Sequence, residues 1–258
     1  MQTLKVVKIG GNIIDDEKAL QVFLQQFAQL KGPKLLVHGG GKLATQLSNS
    51  MNVEVKMVEG RRITDAQTLD IITMVYGGKI NKNIIAQLQA QSCNAVGFTG
   101  ADGNSILSIK RPVKTTDYGF VGDVVKVNTE VSSLLLKNNI TPVFCAITHD
   151  QKGQLLNTNA DTITSELAIA FSEEFVVELY YCFEKSGVLE NVTDETSVIQ
   201  NINYRSYETL LEKGIIADGM LPKMKNCFHA LNGNVSKVCV GKTNMLFETD
   251  ALFTTLTL

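Results

Sequence analysis

A chain of 258 residues with 44% apolar side chains has enough apolar material for one large α/β domain or two joined lobes. Its formal net charge of -2 sets up no global field that would hold nucleic acid or an anionic membrane. Five cysteines without CxxC spacing argue against a disulfide framework, three scattered histidines argue against a structural zinc site, and no signal peptide or bilayer-length apolar run is found, so a cytoplasmic, reducing location is expected.

Residues 4–9 are apolar and β-branched, which predicts a buried strand stopped by Gly10 and Gly11. Residues 15–30 carry Ala19, Leu20, Phe23, Leu24, Phe27 and Leu30 on one helical face, with Asp15 or Asp16 as cap. A second strand over 34–37 and a second helix over 41–49 complete a β-α-β-α start, which predicts a parallel sheet with helices on both faces. A long helical stretch over 64–91, interrupted near Gly77-Gly78, leads to a strand over 94–98. Residues 103–127 mix short strand-like pieces with Gly119 and Gly122, and read as a β-hairpin insertion at the sheet edge or over the site. A buried strand over 140–146 follows, then a polar cluster at 150–157 that marks a change of lobe. Helices over 160–171, 207–213 and 221–231 and strands over 175–183, 235–240 and 251–258 close the fold.

Three glycine turns, each entered from an apolar strand, carry the chemistry: Lys8-Ile9-Gly10-Gly11, His38-Gly39-Gly40-Gly41 and Ser186-Gly187-Val188-Leu189. A strand ending in glycines exposes backbone N–H groups, and a following helix N-terminus adds to an anion-binding geometry. In an open parallel sheet ligands bind beyond the carboxyl ends of the strands, where Lys8 can reach a phosphate oxygen; a solvent-facing lysine fits the same position. The His38 turn supports three readings. Gly39, Gly41 and Ala44 fit a dinucleotide fingerprint but lack a clean acidic strand end about twenty residues on. An esterase oxyanion loop fails because no G-x-S-x-G occurs. A backbone clamp for an anionic or carbonyl-bearing substrate suits the rest of the chain best, and a purely structural turn stays open. Gly241-Lys242-Thr243 resembles the end of a P-loop, but the glycine required five residues earlier is Ser236, so a strand-to-loop turn is expected. Asn157-Thr158-Asn159-Ala160-Asp161, at a predicted helix start, holds more polar side chains than a cap needs. In Asp218-Gly219-Met220-Leu221-Pro222-Lys223 a glycine turn precedes a lysine on a new helix.

Taken together these residues resemble the amino acid kinase family, over nearly the whole chain. K-[IL]-G-G, H-G-G-G, G-x-R-[IV]-T, N-x-N-A-D and D-G-M-x-x-K occur in the family's order at Lys8–Gly11, His38–Gly41, Gly60–Thr64, Asn157–Asp161 and Asp218–Lys223. The resemblance implies a three-layer α-β-α sandwich around a mainly parallel open sheet, one domain over 1–258, with a lobe of about 1–156 binding acylglutamate and a lobe of about 157–258 binding ATP. It further implies ATP-dependent phosphorylation of the side-chain carboxylate of an N-acylated glutamate, the second step of arginine biosynthesis by the acetylated route. Lys8 and Lys223 would stabilise the transferring phosphoryl group, and Asp161 would orient both. Gly10, Gly11 and Gly41 would bind phosphate oxygens, while Gly40, Gly41, Arg62 and Asn157 would hold the acceptor. Lys185, Gly187, Ile215, Ile216 and Ala217 would line the ATP site, and magnesium would bridge the ATP phosphates.

The sequence departs from the family where an Asp-rich turn normally precedes the third glycine motif: here it reads Cys182-Phe183-Glu184-Lys185-Ser186-Gly187. Arginine-inhibited members carry an extra helix before the first strand, and this chain starts close to its first strand, so a homodimer insensitive to arginine is expected. Acceptance of a larger acyl group such as succinyl, a non-catalytic small-molecule sensor on the same fold, and a dinucleotide-binding oxidoreductase are the alternatives.

Overall fold

The computed structural model describes residues 1–58, 60–216 and 220–258. β1 (Thr3–Ile9) runs into a single turn, α1 (Gly11–Ile14), and then α2 (Glu17–Gln29), which buries Leu20, Phe23, Leu24 and Phe27. The one helix expected over 15–30 thus begins later, because Asp16 accepts hydrogen bonds from the backbone of Lys18 and Ala19 at 2.9 and 3.0 Å and caps α2. β2 (Lys34–His38), α3 (Gly41–Ser50) and a small hairpin of β3 (Met57–Val58) and β4 (Arg61–Arg62) follow. α4 (Ala66–Ile72) passes through a π-helical segment, Thr73–Ile80, directly into α5 (Asn81–Ala90). The interruption expected near Gly77-Gly78 takes the form of this π-helical segment; the chain stays helical through it because burial of Val75, Tyr76 and Ile80 outweighs a helix penalty of about 1 kcal/mol per glycine.

The chain continues through β5 (Ala95–Phe98), β6 (Ile106–Lys110), β7 (Gly122–Val127), α6 (Glu130–Lys137), β8 (Thr141–Cys145), β9 (Ile147–His149) and β10 (Leu155–Asn157). Its last third holds α7 (Ala160–Phe171), β11 (Val176–Cys182), β12 (Asn201–Ile202), α8 (Tyr204–Glu212), α9 (Met220–Asn232), β13 (Lys237–Gly241) and β14 (Thr254–Leu256).

The main sheet has the order β12-β14-β13-β11-β1-β2-β8-β5, parallel throughout except for the β13–β14 pair. The strand expected over 251–258 shrinks to Thr254–Leu256, and the two-residue β12 carried too little pattern to be read from sequence. Every residue of β2 and β8 is buried. Successive strand residues point to opposite faces, so helices cover both sides of the sheet. α7 packs on β1, β2 and β11 and against α9, while α5 packs on β5 and β8 and against α2. No helix among the described residues is long and apolar enough to cross a membrane.

The expected hairpin of β6 and β7 is present, but it belongs to a second sheet of order β10-β9-β6-β7, whose β9–β10 hairpin occupies the polar stretch read as a lobe change. The loop entering β7 reaches back: Gly119 bridges to Thr64, and Val121 to Asn157. Gly119 has φ 70° and leaves no room for a Cβ, which would run into the Thr64 carbonyl. This contact brings the residues after β4 and the end of β10 to one place. In the main sheet the connections leave β1 on one side toward β2 and return on the other at β11, so a crevice opens beyond their carboxyl ends.

Candidate active site

Lys8 is the penultimate residue of β1, in register with Val37 of β2 and Tyr181 of β11. Its ammonium lies 2.8 Å from Asp161 Oδ1, and the side chains are 12% and 13% exposed. Lys223, on the first turns of α9, places its ammonium 3.8 Å from Asp161 Oδ2. Two cations from opposite ends of the chain thus meet on one carboxylate. Burial alone would raise the Asp161 carboxyl pKa, but Lys8 and Lys223 prevail and hold it below the usual carboxylate value. It is ionised at neutral pH and ties the two ammonium groups together.

Each residue of the run ending at Asp161 has its own task. The Asn157 amide donates to Thr64 Oγ1 at 3.0 Å. The Thr158 hydroxyl lies buried 2.8 Å from that of Thr148. Asn159 caps α7, accepting from the backbone of Asp161 and Thr162 at 2.8 and 3.1 Å. Ala160 faces Gly39, where an added Cβ would lie 3.9 Å away. The Asp161 carbonyl accepts from the Tyr181 hydroxyl at 2.9 Å, which fastens the first turn of α7 to β11.

The glycine turns flank this centre. Gly10 precedes α1, and a Cβ there would lie 3.7 Å from the Lys8 ammonium, so the Lys8 charge and the Gly10 backbone are adjacent. Gly40 and Gly41 open α3 over the side chains of Tyr76 and Ile80; a Cβ on Gly40 would collide with Ile80 Cδ1 and lie 3.0 Å from the Tyr76 ring. Arg62 donates through Nη2 to the Gly41 carbonyl at 3.1 Å and to Thr45 Oγ1 at 2.7 Å. Its Nη1 is buried with no hydrogen-bond partner among the described residues. An unpaired buried donor is costly, and a carboxylate is its natural complement. Gly10, Gly11, Gly40, Gly41, Arg62 and Asn157 are therefore arrayed around the crevice end that holds Lys8 and Asp161.

Lys185 stands after β11, and its ammonium lies 3.1 Å from Glu195 Oε1; Lys242, directly after β13, lies 2.8 Å from Glu195 Oε2. Both lysines therefore sit at the carboxyl edge of the sheet and share one exposed carboxylate. In sequence Lys242 reads only as part of a strand-to-loop turn, because the P-loop spacing fails; its place after an apolar strand is the signal it offers. Gly187 is held tightly, since a Cβ would come within 2.6 Å of Thr254 Oγ1. Ile216 is buried in the core and Ile215 partly buried against it, whereas Ala217, with Asp218 and Gly219, lies outside the described residues. Among the described residues no three His, Cys, Asp or Glu side chains converge as a metal-binding group.

The profile of the amino acid kinase family matches residues 3–242. The chain is 55% identical over 249 residues to the acetylglutamate kinase of Cytophaga hutchinsonii, covering 96% of this chain and 94% of that one. It is 51% identical over 239 residues to the acetylglutamate kinase of Bacteroides fragilis, covering 93% and 92%. In fold it is similar to the smu.665 protein of Streptococcus mutans, with a TM-score of 0.77 at 23% identity over 98% of each chain.

Proposed function

The chain belongs to the amino acid kinase family, and from that premise we infer that it transfers the γ-phosphoryl group of ATP to the side-chain carboxylate of N-acetyl-L-glutamate, an early step in arginine biosynthesis. The acceptor carboxylate is already ionised at neutral pH and attacks phosphorus without a general base. The bond from phosphorus to the β,γ-bridging oxygen breaks, ADP leaves with that electron pair, and an acyl phosphate forms. Such a transfer depends on positioning and charge stabilisation. The observation that carries this reading is the meeting of Lys8 and Lys223 on Asp161 beside the Gly10 turn. Two ammonium groups held by one ionised carboxylate suit the equatorial oxygens of a migrating phosphoryl group from two sides. An acyl group on the substrate amine keeps the activated carboxyl from cyclising onto it.

In this assignment Gly10, Gly11 and Gly41 contribute backbone N–H groups to phosphate oxygens. Gly40, Gly41, Arg62 and Asn157 hold the acylglutamate. Arg62 Nη1, buried with no partner among the described residues, supports this part, because it offers a donor to a substrate carboxylate. Lys185, Gly187, Ile215, Ile216 and Ala217 contact the nucleotide; because Ile216 is buried, its part falls to the backbone. Lys242 joins them through the carboxylate it shares with Lys185. In this reading a lobe of about 1–156, with Asn157 at its boundary, binds the acceptor, a lobe of about 157–258 binds ATP, and the working unit is a cytoplasmic homodimer. Both oxygens of Asp161 face ammonium groups, so the chain here fits a magnesium ion carried by the nucleotide rather than one caged by protein. When bound, that ion neutralises charge on the ATP phosphates.

An ADP-release assay with N-acetyl-L-glutamate, N-succinyl-L-glutamate and free L-glutamate tests the function. The highest kcat/KM is expected for the acetyl substrate. A preference for the succinyl substrate would reassign the acyl group, and no turnover with any of them would refute the function.

A further inference from the structure

Beneath the His38 turn lies a buried polar chain that phosphoryl transfer itself does not use. Asn81, the first residue of α5, is buried, and its Nδ2 donates to the Val143 carbonyl at 3.0 Å and faces His38 Nε2 at 3.1 Å. Its Oδ1 accepts from the Lys82 ammonium at 3.2 Å. The amide orientation is fixed from both ends, since a carbonyl requires a donor and an ammonium requires an acceptor. His38 Nε2 is therefore an acceptor, and the single ring proton sits on Nδ1, which donates to the Gly39 carbonyl at 2.8 Å. The ring is fully buried, and burial pushes its pKa down to about 4, so it is neutral when the enzyme works.

The described peptide bonds include no cis bond, and in a trans peptide the N–H points opposite the preceding C=O. Turning the Gly39 carbonyl toward the buried imidazole therefore aims the Gly40 N–H away from it. The neighbourhood is built around this arrangement. A Cβ on Gly97 would run into Asn81 Oδ1, and the π-helical segment that ends one residue before Asn81 places Tyr76 and Ile80 against Gly40. Such π-helical insertions shift the register of a helix and often occur beside functional sites.

We propose that Asn81 is a positioning residue for acceptor binding: by holding His38 as the Nδ1–H tautomer it locks the Gly39–Gly40 peptide and directs the Gly40 N–H at the acylglutamate. This rests on the assignment of Gly40 to the acceptor.

The test combines spectroscopy and kinetics on the full chain. Long-range proton–nitrogen NMR of histidine-labelled enzyme is expected to show His38 as Nδ1–H, and the Gly40 amide is expected to shift on adding N-acetyl-L-glutamate. In Asn81→Leu, kcat/KM for N-acetyl-L-glutamate is expected to fall by about 10-fold to 10²-fold, mainly through KM, the scale of a donor misplaced by roughly 1 Å. The KM for ATP should stay within about twofold. His38→Asn, whose amide nitrogen falls near the position of Nδ1, should keep more acceptor affinity than His38→Gln, whose amide falls near Nε2. A merely structural role would affect both alike. If Asn81→Leu fails to fold, the wild-type spectrum and the His38 pair still decide. An Nε2–H signal in the wild type, equal acceptor KM values for the two His38 variants, or normal kinetics in Asn81→Leu would each overturn the proposal. A Gly40 amide that ignores N-acetyl-L-glutamate while His38 shows Nδ1–H would instead overturn the acceptor assignment beneath it.

Discussion

Lys8, Asp161 and Lys223 show how position alone brings single residues into one charged cluster. Each belongs to a separate motif far from the others in sequence, but β1, α7 and α9 bring them within ion-pair distance, and the two lysines keep the Asp161 carboxyl charged despite its burial. Lys8→Ala or Lys223→Ala is expected to lower kcat by roughly 10²-fold or more, the scale of one lost oxyanion donor. Steady-state assays with both substrates saturating check this, and near-normal turnover removes the residue from the mechanism. Arg62→Ala is expected to raise the KM for N-acetyl-L-glutamate; a change in the KM for ATP alone contradicts its role. His38 carries a separate expectation. Its folded pKa of about 4 lies below the ordinary 6.5, so the unfolded chain binds the extra proton first. The associated stability is complete above pH 6.5 and is lost as pH falls toward 4, to an extent of up to about 3 kcal/mol. Denaturant titrations across that window should show the loss in the wild type and less of it in His38→Asn.

At the scale of elements, strand ends and helix starts do the assembling. The turn after β2 works because Gly40 passes directly over Tyr76 and Ile80, with no space for a side chain. Gly40→Ala is expected to push Ile80 and Tyr76 aside, with a stability loss of about 1–3 kcal/mol typical of overpacking and a larger KM for the acceptor. Chemical denaturation and kinetics on the same sample check both effects, and wild-type stability with wild-type KM contradicts the close packing. The run from Asn157 to Asp161 was legible as richer than a cap. Its division into one amide on Thr64, one cap and one ion-paired carboxylate depended on where β10 ends and α7 begins. Gly77-Gly78 marked where the long helix changes, but its π-helical form over Thr73–Ile80 was not legible, because two glycines normally weaken a helix and the buried partners that outweigh them come from the rest of the fold.

On the scale of the whole molecule, one eight-stranded sheet carries both the glycine turns after β1 and β2 and the lysines after β11 and β13, so they share one frame. The five cysteines are all buried and free, and burial pushes the thiols of Cys145 and Cys182 up to about 12. A thiol reagent is therefore expected to titrate none of the five in the native protein within minutes and all five in denaturant. Rapid native labelling would contradict the burial.

The sequence by itself determined the strand–glycine turns, the amphipathic helices, the parallel α/β class and the ordered motifs that single out Lys8, Arg62, Asp161 and Lys223. These are local properties: backbone freedom, apolar periodicity and side-chain chemistry are written within a few residues of one another. Only the tertiary structure decided that both lysines meet on Asp161, that Lys242 shares a carboxylate with Lys185, and that Asn81 reaches His38. Those pairings span distant parts of the chain. Their distances follow from how β1, β2, β11 and β13 stack and from which way each helix turns, and no local pattern encodes either.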